Sequence, residues 1–133
     1  MRYTPDIITE LGNGEIFVYG SNQFAQHGAG SAKAAFEKFG AIMNDAPIGL
    51  IGKCYGIITA SCTDTPVAIR FIGDQVNVLY HFARLRPDLA FLVTKIGTGI
   101  AGFSTREIAG IFFALEDNRP HNIILPKEFS KNV

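Results

Sequence analysis

The chain has 133 residues, enough for one domain with a buried core. Charged residues make up 18% and apolar residues 47%, which excludes a disordered chain. The formal net charge of zero excludes a protein whose main partner is bulk nucleic acid, because such binding rests on many Lys and Arg contacts to phosphate.

A nucleotide held by backbone groups stays within these bounds. No apolar run approaches the length of a membrane span, so no membrane partner is expected. Met1-Arg2-Tyr3-Thr4-Pro5-Asp6 lacks the charged-then-apolar form of a signal peptide, and a cytoplasmic protein is the expectation. Cys54 and Cys62 are too few and too isolated for a zinc site and read as packed thiols. His27, His81 and His121 show no ligand spacing, so neither a metal nor another cofactor is expected. Oligomeric state is not legible in the sequence.

In chain order, Asp6–Leu11 reads as a short edge strand or an irregular lead-in, closed by the turn Gly12-Asn13-Gly14. Glu15–Tyr19 is a strand of β-branched and aromatic residues. It leads into a glycine loop, Gly20 to Gly30, and an Ala-rich helix from Ser31 to Phe39 that Gly40 ends. Residues 41–54 read as a loop, Tyr55–Thr59 as a strand and 60–68 as another loop. From about Phe71 to Arg86 the spacing of Val76, Leu79, Tyr80 and Ala83 predicts a helix, stopped by Pro87.

Ala90–Thr94 is the next strand, an apolar run of the buried, parallel-sheet type. A second glycine loop follows, with Gly97, Gly99 and Gly102. It ends at Ser104-Thr105-Arg106-Glu107, a capping box that opens a helix over Thr105–Leu115. Asn122–Leu125 is the last strand.

Strands alternate with helices, which predicts a three-layer α/β/α domain over residues 1–133, its sheet mostly parallel and Rossmann-like. Ligands of such sheets bind beyond the carboxyl ends of the strands. Both glycine loops leave such ends and should line one crevice. A strand, a glycine loop and a helix N-terminus direct several N–H donors and a positive dipole end at one place, which suits a phosphate or diphosphate. The competing reading of each loop is a tight turn.

Individual residues carry two readings each. Asn22 can bond a ribose hydroxyl or its own backbone. Gly28, Ala29 and Gly30 allow close approach to a sugar or phosphate, or simply open a helix. His27, of the residue type whose unperturbed pKa of roughly 6.5 lies near neutrality, can act as an acid–base group or bond a loop carbonyl. Asp6 can accept from an exocyclic amine or stand solvated. Phe103 can pack on a ribose or base, or belong to the core. Lys95 can meet a phosphate or lie exposed. No nucleophile elbow, Walker loop or paired-carboxylate site is evident.

In motif order the sequence resembles the macrodomain superfamily of ADP-ribose-binding modules and ADP-ribosyl hydrolases. Asp6-Ile7-Ile8-Thr9 is similar to that family's early adenine-holding segment, and Ile16–Asn22 to its strand ending in a ribose-contacting Asn. His27-Gly28-Ala29-Gly30 stands at its glycine-rich catalytic loop. Ile96-Gly97-Thr98-Gly99-Ile100-Ala101-Gly102-Phe103-Ser104 resembles its diphosphate loop, with Ser104 in place of a Pro. More narrowly, Val18–Asn22, His27–Gly30, Thr94–Gly97 and Ile124-Leu125-Pro126 look like a group of small phage and bacterial proteins.

The resemblance implies a small macrodomain-like fold and a nucleotide partner of ADP-ribose type. Asn22 and His27 are the candidate catalytic residues. Asp6, Gly28, Ala29, Gly30, Gly97, Thr98, Gly99, Ile100, Ala101, Gly102 and Phe103 are the candidate ligand contacts. The activity it implies is binding with possible hydrolysis of an ADP-ribose linkage. The alternatives are a non-enzymatic nucleotide-sequestering module and a protein-interaction module.

Overall fold

β-branched and aromatic residues build the strands at the centre of the protein, and they assemble into one five-stranded sheet. The computed structural model describes residues 2–22, 37–40, 49–61, 66–99 and 101–131. The strands are β1 (Glu15–Asn22), β2 (Gly49–Ile51), β3 (Cys54–Ala60), β4 (Ala90–Val93) and β5 (Ile123–Ile124). Helix α1 spans Ile69–Leu85 and α2 spans Thr105–Ala114. The fold is α/β, with the sheet in the order β2-β3-β1-β4-β5. β1 pairs in parallel with β3 and β4, and β4 in parallel with β5. Among the described strands only β2 is antiparallel, so the sheet is mixed.

Three expectations are corrected here. Residues 41–54 are not all loop, because Gly49–Ile51 forms the edge strand β2 against β3. Gly20 does not begin a loop: β1 continues through it to Asn22, with a register shift between Ser21 and Asn22. Asn122 is not a strand residue. Its buried side-chain amide donates to the carbonyls of Ala83, Arg86 and Leu89 at 2.9–3.1 Å, which ties the end of α1 and the turn after it to the start of β5. The Asp6–Leu11 stretch is irregular, and only Thr4 before it bridges to the sheet region, at Pro126.

The alternation of each strand sorts its side chains between two faces. On one face Ile16, Val18, Tyr55, Ile57, Phe91, Val93 and Ile123 pack against α1 and α2. Ile72, Val76, Leu79, Tyr80 and Ala83 supply α1's half of that core, and Ile108, Ala109 and Phe112 supply α2's. On the other face Phe17, Tyr19 and Cys54 meet Phe39, with Ile8 and Leu11 alongside. Both described helices therefore cover the same face. The Cys54 thiol is free, bonds the Ile51 carbonyl at 3.0 Å and is pushed up to about 11 by burial. No helix among the described residues is long and apolar enough to cross a membrane.

Candidate functional site

Four parallel strands end at the same edge of the sheet, and the chain's path across them matters. From β1 it moves to β3 on one side and then to β4 on the other. The direction of winding reverses between β1 and β4, which is where open α/β sheets leave a crevice at the carboxyl edge. Asn22 ends β1 there, and the second glycine loop leaves β4 there.

The loop is built by its own hydrogen bonds. Thr94 docks it on β1, its N–H and Oγ1 both donating to the Val18 carbonyl at 3.1 and 2.7 Å. Thr98 Oγ1 donates to the Lys95 carbonyl at 2.7 Å. The Gly102 N–H donates to Gly99 at 3.0 Å and the Phe103 N–H to Gly97 at 2.9 Å. Gly97 and Gly102 take φ of 76° and 84°, a region that disfavours residues with a Cβ. A Cβ on Gly97 would also lie 3.0 Å from Ile108 Cδ1 and 3.3 Å from Phe103 Cδ2. Across from it, a Cβ on Gly20 would lie 3.3 Å from the Gly97 nitrogen and 3.0 Å from Thr59 Oγ1. The missing side chain at Gly20 is what lets the loop lie against β1.

Two consequences follow for the loop's chemistry. The N–H groups of Gly97, Gly99 and Ala101 have no hydrogen-bond acceptor among the described residues. The loop runs into the N-terminus of α2, whose first-turn N–H groups lack intrahelical partners. The capping box is present as expected: Ser104 Oγ accepts from the Glu107 N–H at 3.0 Å, and Glu107 Oε1 accepts from the Ser104 N–H at 2.9 Å. This places a carboxylate at the positive end of the helix, which offsets part of its attraction for an anion.

The N-terminal segment reaches the same edge. The Thr4 N–H donates to Leu125 at 2.8 Å and Thr4 Oγ1 to Ile124 at 3.0 Å, fixing the chain beside the end of β5. Asp6 then lies 3.6 Å from Lys95 Nζ, which pairs more closely with Glu128 at 2.8 Å. The Glu128 partner raises the Lys95 pKa, and Lys95 in turn lowers that of Glu128. Lys95 is thus held between two carboxylates rather than standing free for a phosphate.

Of the residues expected from the sequence, Asp6, Asn22, Gly97, Thr98, Gly99, Ala101, Gly102 and Phe103 all lie at this carboxyl edge or on the loop that leaves it. Asn22 is buried at the end of β1 and bonded. Phe103 packs against the helix-bearing core, and Ala101 is buried. His27, Gly28, Ala29, Gly30 and Ile100 lie outside the described residues, as does most of the expected helix Ser31–Phe39. The contacts of Glu128, Thr94 and Thr59 are not legible in the sequence. Their partners are distant in the chain, so no local pattern marks them. Compared with family models, curated proteins and solved structures, the chain matches none.

Proposed function

We propose that the protein binds ADP-ribose or a related nucleoside diphosphate at the carboxyl edge between β1 and β4, within a small three-layer, macrodomain-like domain. The observation that carries this reading is the loop from Ile96 to Phe103. Two positive-φ glycines shape it, three of its N–H groups have no acceptor among the described residues, and it runs into a capped helix N-terminus. That combination suits a diphosphate. Asn22 at the end of β1 supports a neighbouring ribose contact, and Asp6, 3.6 Å from Lys95 Nζ, supports a contact to the base.

Magnitude argues for the whole edge rather than the loop alone. A helix terminus contributes about 0.3–1 kcal/mol, whereas micromolar binding requires about 8 kcal/mol. Hydrolysis of an ADP-ribose linkage is the catalytic form of this reading, with Asn22 orienting the distal ribose. Retention of the nucleotide unaltered is the sequestering form.

Calorimetric titration with ADP-ribose, using AMP and ribose 5-phosphate as controls, tests the binding. Micromolar affinity for ADP-ribose alone is expected. At 100 times its dissociation constant it should stabilise the fold by about 2.7 kcal/mol. The absence of both binding heat and a thermal shift with ADP-ribose would overturn the reading. Chromatography of the recovered ligand then separates turnover from sequestration.

A further inference from the structure

Helix α1 has an apolar stripe that its own fold leaves uncovered. Phe71, Val78 and Leu85 recur at seven-residue spacing and are 42%, 57% and 68% exposed. Residues seven apart lie close to one face of a helix. This stripe is not the core face, which Ile72, Val76, Leu79 and Ala83 occupy. It is also not the flank towards α2, where Gly73 approaches Ile111.

The stripe continues onto the sheet. Half-buried Phe82 borders it and stands 5.9 Å from the Tyr55 ring. Tyr55 pairs across the edge of the sheet with Leu50 of β2, which is 38% exposed. Phe71, Val78, Phe82, Leu85 and Leu50 therefore form a run of apolar side chains along the β2 side of the molecule. A run of this kind marks an interaction site more often than a scatter of single apolar residues does.

The polar residues on the same flank indicate the occupant. Asp74 and His81, both exposed, alternate with the apolar three in the order Phe71, Asp74, Val78, His81, Leu85. We propose that a second copy of this chain covers the stripe, its α1 antiparallel to the first and crossing at Val78. A two-fold axis at Val78 sets Phe71 of each copy against Leu85 of the other. It also sets Asp74 of each copy beside His81 of the other, twice over. The pattern is self-complementary, as an isologous interface requires. A parallel pairing would instead set Asp74 against Asp74. The 17-residue helix gives a seam about 25 Å long, and Leu50 with Phe82 widens it towards the edge strand.

Sedimentation velocity across a concentration series tests the proposal. The wild-type chain is expected to dimerise reversibly. Val78→Asp, a change at an exposed position, should weaken association at least about tenfold while leaving the far-UV spectrum unchanged, because two buried valines are lost at once. Leu85→Glu serves the same purpose at the helix end. Asp74→His alone sets histidine against histidine and should weaken the dimer, and adding His81→Asp should restore it. A chain that stays monomeric up to millimolar concentration overturns the proposal and leaves the stripe to a different partner. A dimer indifferent to both Val78→Asp and Leu85→Glu overturns it too, as does failure of the charge swap to restore association.

Discussion

Gln75 shows how one polar side chain can stand in for a strand. It is buried in α1, and its Oε1 accepts from the Ile58 N–H at 2.7 Å while its Nε2 donates to the Ile58 carbonyl at 2.8 Å. β2 pairs with β3 only as far as Gly56, so among the described residues no strand pairs with the backbone of Ile58 on that side. The amide of Gln75 closes the open edge in β2's place. Gln75→Leu keeps the approximate volume and leaves both backbone groups buried and unpaired. Each orphan costs about 1–3 kcal/mol, so a loss of about 2–6 kcal/mol in urea unfolding is expected. A variant within about 0.5 kcal/mol of wild type would show that water or a shift of the helix replaces the amide. Nothing in the sequence marks this role. The apolar spacing of α1 was legible, but that Gln75 faces inward depends on where a separate strand ends.

The strand–loop–helix unit from β4 to α2 was the most legible element, because each of its parts announces itself locally. The apolar run Ala90–Val93 forms the strand, Gly97 and Gly102 take positive φ, and Ser104 with Glu107 makes the predicted capping box. Propensity, turn chemistry and capping agree there, which is the condition under which a sequence can be read directly. β2 was missed for the opposite reason. A three-residue strand that starts on one glycine and is followed by another carries no usable period, and its strand character comes from pairing with β3. At this scale the cap can be tested alone. Ser104→Ala removes the acceptor for the Glu107 N–H and should destabilise the protein by about 1 kcal/mol, read from the shift in the denaturant midpoint at constant slope. An unchanged midpoint would mean that solvent satisfies the first turn equally well.

At the scale of the whole molecule, alternation of strands and helices foretold a mostly parallel sheet, but not the order β2-β3-β1-β4-β5 that places the reversal between β1 and β4. Strand order is decided by contacts between segments far apart in sequence, and so is the closure of the two chain ends on the sheet. Thr4 is tied to Leu125, Arg2 pairs with Glu15, and Lys95 joins Glu128 and Asp6. These ion pairs give the closure a pH dependence whose sign is fixed. Arg2 holds the Glu15 carboxyl below its ordinary 4.5, and Lys95 does the same for Glu128. A folded-state pKa below the unfolded value contributes stability that is complete above pH 4.5 and is lost as pH falls through the folded value. The Lys95 pKa is raised above its ordinary 10.5, so its contribution is present below that pH and is lost as pH rises through the folded value. Stability from these pairs is therefore flat around neutrality and declines at both extremes. Because the groups are exposed, the effect is small and screened by salt. Lys95→Met should lower the urea midpoint near neutrality and make its fall between about pH 6 and pH 3 shallower than in the wild type. Parallel acid profiles for the two proteins would mean that Lys95 and Glu128 contribute nothing to closing the chain ends onto the sheet.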